Sequence, residues 1–116
     1  MANEETLFQK IIKREIPADI VYEDDLCLAF RDIDPQAPHH ILLIPKKHIP
    51  KLSDSINADK ELLGHLLLTA NKIALEQRFS GDGFRLVINN GEKSGQTVFH
   101  LHIHILAGRP MKWPPG

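Results

Sequence analysis

The segment that most constrains the fold is 98–108, VFHLHIHILAG, in which apolar side chains and histidines alternate. Successive side chains of a β-strand point to opposite faces, so this alternation predicts a strand with one apolar face and one imidazole face. An apolar face is stable only when other elements cover it, so the strand must belong to a sheet with a packed side. The apolar face would carry Leu101, Ile103 and Ile105, and the opposite face His100, His102 and His104.

The other segments predict two helices and further short strands. Apolar residues at helical spacing predict a short helix over 5–16 and a long helix over 58–79, for which Asn57 is the expected N-cap. The strands lack the repeated strand–helix–strand alternation that is typical of a parallel sheet. We therefore predict a single α+β domain over 1–116, with helices packed on an antiparallel sheet. The expected strands are 18–25, 26–32, 39–45, 84–90 and 98–108.

Composition and charge narrow the class of protein. A net charge of -1 provides no strong field that would attract nucleic acid or an anionic membrane. Cys27 is the single cysteine and cannot form an internal disulfide, which suits a reducing compartment. The acidic N-terminus lacks the apolar run of a signal peptide, and no segment approaches the ~20 apolar residues that cross a bilayer. We expect a cytoplasmic protein that binds neither nucleic acid nor membrane.

The imidazole face is compatible with three roles: exposure to solvent, metal binding or catalysis. Exposure would explain its polarity but not why all three residues are histidine. A shared metal is awkward, because the outer pair of histidines lies ~13 Å apart along a strand, whereas a Zn–N bond measures about 2.1 Å. No Cys, Asp or Glu lies within 98–108 to complete a metal site. We therefore expect no metal and no cofactor.

Nucleophilic catalysis fits the imidazole face better. A neutral imidazole can attack phosphorus with one ring nitrogen if an acceptor holds the proton on the other, and a strand provides backbone carbonyls for that purpose. The turn at 94–97, SGQT, directly precedes the strand and offers backbone N–H groups and two polar side chains to a phosphate. Taken alone, this turn is also what a hairpin connection would require.

These residues resemble a known family. The run His100-Leu-His102-Ile-His104-Ile-Leu106 is similar to the His-φ-His-φ-His-φ-φ signature of the histidine triad (HIT) nucleotide hydrolases and transferases, where φ is an apolar residue. Three further segments resemble the Hint branch of that family, the nucleoside phosphoramidases. They are DIDPQAPHHILLIPKKHI, GQTVFHLHIHILAGR and MKWPPG.

The resemblance implies a fold and an activity. The fold would be a five-stranded antiparallel sheet with two main helices, and the sheet would continue across a homodimer. The activity would be hydrolysis of the P–N bond in purine nucleoside 5′-phosphoramidates, such as an adenylate amide or an adenylated lysine, without a metal. The C-terminal tail, about 108–116, would lie near the active site.

The resemblance also assigns a role to each matching position. His102 would be the nucleophile that becomes nucleotidylated, while His100 and His104 would hold phosphate. His40 would be a fourth site histidine on the neighbouring strand, so that its neighbour His39 points elsewhere. The nucleotide would be bound by Asp32 at both ribose hydroxyls, by Phe8, Phe30 and Ile33 around the base, and by Asn89, Gln96 and Thr97 near the ribose and phosphate.

Alternatives remain open at this stage. The site could bind nucleotides for regulation without physiologically important turnover. It could also hydrolyse dinucleoside polyphosphates as a sister branch does, although the WPPG ending argues against that branch. For single residues, Asp32 could instead cap the turn that follows it, and Phe8 and Phe30 are expected to serve the core as well.

Overall fold

The computed structural model describes residues 5–116 and contains two α-helices and five β-strands among them. Short 3-10 helices occur at Leu52–Asp54, Asn57–Asp59 and Glu92–Ser94. The main elements, in chain order, are α1 (Leu7–Ile12), β1 (Ile20–Glu23), β2 (Cys27–Arg31), β3 (His39–Pro45), α2 (Lys60–Glu76), β4 (Phe84–Val87) and β5 (Ile103–Ala107).

The five strands form one antiparallel sheet in the order β1-β2-β3-β5-β4. Strand β3 has the predicted bounds and lies at the centre, where it pairs with β2 on one side and β5 on the other. The predicted α+β class and five-stranded antiparallel sheet are therefore confirmed. Strands β1 and β4 form the two edges of the sheet.

The two helices pack on opposite faces of the sheet. Along α2, Leu66, Ala70 and Ile73 are buried against alternate residues of β3 and β5. Helix α1 covers the other face, where Phe8 and Ile11 pack against residues of β2 and β3. Because paired residues on neighbouring strands share a face, the following residues all lie on the α1 side: Phe30, Leu42 and His104.

Both helices are shorter than the periodicity predicts, because residues in the left-handed region stop them. Arg14 at φ 64° follows α1, and Arg78 at φ 65° follows α2. The expected N-cap Asn57 is wrong, because it starts the 3-10 turn Asn57–Asp59 instead and Asp59 is the cap. The Asp59 carboxylate accepts from the Ile56 N–H and pairs with a lysine, so it serves the turn that precedes the helix.

The last strand is also shorter than predicted, because β5 begins at Ile103 and not at 98. The backbone N–H of Leu101 donates to the carbonyl of Ile49 at 2.7 Å. At Leu101 the chain is therefore not yet hydrogen-bonded between β3 and β4, where β5 lies. The apolar face is nevertheless as predicted, because Leu101, Ile103 and Ile105 are all buried in the α2-side core. His100 and His102 thus precede the strand, and only His104 of the three lies within it.

No α-helix of residues 5–116 is long and apolar enough to cross a membrane.

The capping of α1 gives a first prediction. Thr6 and Gln9 form a capping box, in which the Thr6 hydroxyl accepts from the Gln9 N–H and the Gln9 side chain accepts from the Thr6 N–H. Thr6→Ala should lower the free energy of unfolding by about 1 kcal/mol, measured by urea denaturation. Thr6→Ser keeps the hydroxyl and should remain near wild type. Equal losses in both variants would contradict a role for the cap.

Candidate active site

A cavity of about 260 Å³ opens between α1, the end of β2 and the segment that leads into β5. Apolar side chains of α1 line part of this cavity, and residues of the segment 97–104, which carries the three histidines, line another part. Its surface is mostly apolar, with a few polar groups at one side, as is usual for a small-molecule site. The predicted site residues that line it are Phe8, Phe30, Asp32, Ile33, Thr97, His102 and His104.

His102 has one ring nitrogen occupied and one available. Its Nδ1 lies 2.7 Å from the backbone carbonyl oxygen of His100, which can only accept, so Nδ1 carries the proton. The neutral ring then keeps its lone pair on Nε2. The ring is only 7% exposed and meets Phe8 edge-on at 5.0 Å between centroids. Packing and hydrogen bonding therefore orient a neutral imidazole with an unprotonated nitrogen at the cavity.

His40 and His104 form a second oriented unit. The backbone N–H of Gln36 donates to His40 Nδ1 at 3.0 Å, so the proton of the neutral His40 ring is on Nε2. That Nε2 lies 2.9 Å from His104 Nδ1, which must then accept. His104 in turn carries its proton on Nε2. The pair thus gives the cavity a ring with an N–H donor beside the acceptor nitrogen of His102, whose ring centroid is 5.0 Å away.

Asp32 has one oxygen engaged by the chain and one near the histidines. Its Oδ1 accepts the N–H of Asp34 at 2.9 Å, so the predicted alternative, a turn cap, is a real part of its environment. Its Oδ2 lies 3.5 Å from His40 Nε2 at the cavity wall. The carboxylate can therefore stabilise the turn and still present an acceptor to a ligand. Next to it, Ile33 is 97% exposed at the cavity mouth, where a ligand could cover it.

The site histidines are held neutral. Burial lowers the pKa of His100 and His104 to about 4, and for His104 the positive charge that His102 and His40 would carry acts in the same direction. Burial also lowers the pKa of His102 and of His40, although the Asp32 carboxylate opposes this effect in both. At neutral pH the cavity is therefore lined by uncharged imidazoles, which suits a nucleophile but not an electrostatic anion trap.

The His100 ring does not lie where the resemblance would place a phosphate ligand. It is completely buried, and its Nε2 donates to the Pro45 carbonyl at 2.7 Å. Its Nδ1 has no hydrogen-bond partner among residues 5–116, and the His48 ring stacks on it at 5.2 Å between centroids. His100 therefore contributes its backbone carbonyl to the site, through His102, whereas its imidazole is a packing group.

Gln96 and Asn89 also lie outside the cavity lining. The Gln96 side chain is buried and holds its own loop together: it donates to the Pro50 and Val98 carbonyls and accepts from the Gly91 N–H. Its polar atoms are thus already used, which leaves Thr97 as the residue of the turn that reaches the cavity. As expected, His39 points to the other face of the sheet, where it stacks on Phe79 at 4.6 Å.

Two side-chain clusters in the described residues have the composition of a metal site. One is Asp32, His40 and His104 at the cavity, and the other is Asp24, Cys27 and His65 near the β1–β2 turn. In the first cluster the 2.9 Å contact between His40 Nε2 and His104 Nδ1 fits a shared proton. In the second, Asp24 already accepts from backbone N–H groups of the turn, and burial raises the pKa of Cys27 to about 12.

Sequence reasoning missed the group that orients His40. The Gln36 N–H belongs to the loop over 33–38, which lies between the predicted strands 26–32 and 39–45. A backbone group carries no residue-type signal, so no pattern could have indicated it. Apolar residues of α1 at the cavity wall, Leu7 and Ile11, were also missed as site residues, although they share the helical spacing that predicted the helix.

Comparison with known proteins places the chain in a family. The HIT domain pattern matches residues 13–111. The chain is 66% identical to an uncharacterized HIT-like protein of Synechocystis sp., over 97% of this chain and 98% of that protein. It is 52% identical to the purine nucleoside phosphoramidase of Escherichia coli, over 93% of this chain and 91% of that protein.

A solved structure agrees with this placement. The HIT family hydrolase from Legionella pneumophila superposes with a TM-score of 0.94 at 52% identity, over 97% of this chain and all of that one. The antiparallel five-stranded sheet and the cavity lined by His102 and His104 are those of a histidine triad protein. The chain belongs to the HIT family, and the expectation of a HIT hydrolase is confirmed at that level.

The buried neutral histidines predict how stability depends on pH. Because the folded pKa of His100 lies near 4 and its ordinary value is 6.5, the unfolded chain binds this proton first as the pH falls. The free energy of unfolding should therefore decrease between pH 6.5 and about 4, by about 3 kcal/mol for this residue. His100→Gln keeps a donor near Pro45 but cannot titrate, so its loss over this interval should be smaller. Identical pH slopes by urea denaturation would contradict the assignment.

Proposed function

We propose that the protein hydrolyses the P–N bond of purine nucleoside 5′-monophosphoramidates, such as adenosine 5′-phosphoramidate or AMP-lysine. The observation that carries the proposal is the His102 ring, whose Nδ1 proton is held by the His100 carbonyl and whose Nε2 is left unprotonated at a cavity. This is the arrangement that a nucleophilic imidazole requires. Asp32 and the His40–His104 pair beside it provide the acceptor and the donor that a nucleotide needs.

In the proposed complex, the apolar and polar halves of the cavity divide the nucleotide between them. The purine base lies among Phe8, Phe30 and Ile33, which favours a flat apolar ligand over a specific base edge. The Asp32 Oδ2 atom accepts from the ribose hydroxyls. The phosphate then stands before the triad, where His104 Nε2–H and the Thr97 hydroxyl can donate to its oxygens.

The first chemical step transfers the nucleotide to His102. The lone pair of Nε2 attacks the α-phosphorus, an N–P bond forms, and the P–N bond to the amine breaks. The amine must receive a proton as it leaves, because an amide anion is a very poor leaving group. His104, whose ring centroid lies 5.0 Å from that of His102, is the proposed donor. It takes up a proton from solvent when the anionic phosphate binds, which favours the imidazolium, and it gives that proton to the amine.

The second step returns the enzyme to its starting state. Water attacks the phosphorus of the nucleotidylated His102 and gives its proton to the Nε2 atom of His104, which lost a proton to the amine in the first step. The N–P bond breaks, and the nucleoside monophosphate leaves with His102 neutral again. The hydrogen bond from Nδ1 to the His100 carbonyl persists through both steps and stabilises the positive charge that the ring carries in the intermediate. These steps require no metal.

Similarity supports the substrate class. The relative from Escherichia coli that carries the name purine nucleoside phosphoramidase is 52% identical to this chain over 91% of its own length. The roles that we propose fall on His102 as nucleophile, His104 and His40 as donor pair and Asp32 as ribose acceptor. His100 acts through its carbonyl, while Gln96 supports the loop before the triad.

We further propose a homodimer that joins two copies through the β4 edge. Strand β4 pairs only with β5 in the described sheet, so its outer backbone groups are available to a second strand. Beside it lies an apolar groove of about 220 Å³. Leu67 of α2 and Ile88 after β4 line this groove, and they are 52% and 37% exposed. An edge strand next to uncovered apolar residues favours pairing with a copy of the same chain.

Two further expectations remain part of this proposal. We propose that the tail at about 108–116 is part of the single domain and lies near the active site. The hydrogen bonds from Arg85 to the Lys112 carbonyl and from Arg109 to the Gln36 carbonyl support this placement. A cytoplasmic location agrees with the free, buried thiol of Cys27.

The nucleophile assignment can be tested directly. Rapid quenching of the enzyme with adenosine 5′-phosphoramidate, followed by mass spectrometry of peptides, should find adenylate attached to His102. His102→Ala should form no adduct and should lose at least about 10³-fold in kcat/KM, while AMP binding persists. A variant with unchanged activity would sink the assignment. Nucleotide binding without turnover in the wild type would favour the regulatory alternative, and loss of activity in a chelator would favour a metal at Asp32, His40 and His104.

The dimer proposal has its own test, with a matched control. Leu67→Glu places a charge in the groove beside β4 and should shift the protein toward monomer in sedimentation velocity. Leu26→Glu makes the same change at a leucine of similar exposure, 49%, in the hairpin at the opposite edge of the sheet. It should leave the dimer intact. Equal behaviour of the two variants, or a monomeric wild type, would rule out this interface.

A further inference from the structure

Arg109, the second residue after β5, reaches across to the loop between β2 and β3. Its Nη2 lies 3.1 Å and its Nε 3.4 Å from the carbonyl oxygen of Gln36, so the guanidinium holds that oxygen in a two-pronged contact. The same side chain donates from Nη1 to the Pro110 carbonyl. Arg109 therefore links the start of the tail to one particular peptide carbonyl of the loop.

Gln36 is the residue whose own N–H donates to His40. Its backbone is thus engaged on both sides, by Arg109 at the carbonyl and by His40 Nδ1 at the amide. The other hydrogen bonds of the 33–38 loop within the described residues are local, between Asp34 and Asp32 and between the Gln36 side chain and Asp34. Arg109 is accordingly the contact that ties Gln36 to a distant part of the chain.

The Gln36 N–H determines which ring nitrogens of His40 and His104 are protonated. While it occupies His40 Nδ1, His40 must donate from Nε2, His104 must accept at Nδ1, and His104 presents an N–H at Nε2. If the amide moved away, His40 could place its proton on Nδ1 and leave a lone pair on Nε2. His104 would then donate toward His40 and present a lone pair to the cavity. Two tautomer sets are therefore possible, and they offer a phosphate opposite groups.

We propose that Arg109 is a positioning residue, which holds the Gln36 peptide so that His40 and His104 stay in the tautomers with an N–H at the cavity. It acts at a distance from the substrate, through a backbone amide and two imidazoles. The catalytic consequence rests on the function proposed above, because the N–H matters only if an anionic phosphoryl group binds beside His104. The tautomer consequence is a property of the free protein.

Nitrogen NMR of histidine-labelled protein at neutral pH reports the tautomers directly, since protonated and unprotonated ring nitrogens differ widely in chemical shift. In the wild type, His40 and His104 should both be protonated at Nε2. In Arg109→Ala the signals of both rings should move toward the other tautomer, and Arg109→Lys should restore part of the difference because a single ammonium can still donate to the Gln36 carbonyl. Unchanged shifts in Arg109→Ala would overturn the proposal.

Arg85→Ala is the matched control. Arg85 donates to the Lys112 carbonyl, so its replacement removes a different contact of the tail and leaves the contact between Arg109 and Gln36 intact. It should leave the tautomers as in the wild type, and the same shift in both variants would mean that the tail acts and not the Gln36 contact. For turnover of adenosine 5′-phosphoramidate, Arg109→Ala should lower kcat about five- to tenfold, the effect of losing one hydrogen bond, with little change in KM. A change in KM alone would overturn the positioning role.

The two proposals fail separately. Absence of an adenylated His102 would refute the phosphoramidase mechanism and leave the tautomer measurement intact. Conversely, an adenylated His102 together with tautomers that ignore Arg109 would support the mechanism and refute the role of Arg109.

Discussion

The hydrogen bond from His102 Nδ1 to the His100 carbonyl is the interaction on which the site depends. It joins residues only two apart, and within a paired strand that carbonyl would face a neighbouring strand. The His100 carbonyl is available to the His102 ring because β5 starts only at Ile103, and because the Leu101 N–H bonds to Ile49 outside the sheet. The departure from a regular strand therefore frees a carbonyl for the imidazole, and the backbone just before β5 orients the ring of the proposed nucleophile.

Burial sets the chemical state of the histidines. Helix α1 lies over the triad with Phe8 against His102, and this cover removes the imidazoles from water and disfavours their charged forms. A neutral ring is the reactive form of a nucleophile, so the same packing that stabilises the α1 side of the sheet also prepares the site. The same burial lowers the free energy of unfolding at acid pH, because protons then bind the unfolded chain more readily than the folded one.

Sequence patterns predicted what depends on side-chain periodicity and missed what depends on backbone. Alternation correctly indicated that Leu101, Ile103 and Ile105 face a core, and continuous apolar character gave β3 its bounds. The same alternation placed the three histidines together on one face, whereas the His100 ring is turned into the protein and bonded to Pro45. Periodicity indicates which residues share a face of a strand, but it does not indicate at which residue the strand begins to pair. Because β5 begins after His100, the His100 ring is free to turn into the protein.

Three of the hydrogen bonds that fix imidazole protons around this site end on main-chain groups, namely the Pro45 and His100 carbonyls and the Gln36 amide. Substituting those residues does not by itself remove the group that acts, so the tautomers depend on where the backbone lies. The tautomer of each imidazole therefore depends on the contacts that position the peptide group bonded to it. For His102 that is the departure from the β5 ladder, and for His40 it is the loop that Arg109 holds. Three identical side chains can thus take different environments, and with them the proposed roles of nucleophile, donor and packing group, without any difference in residue type.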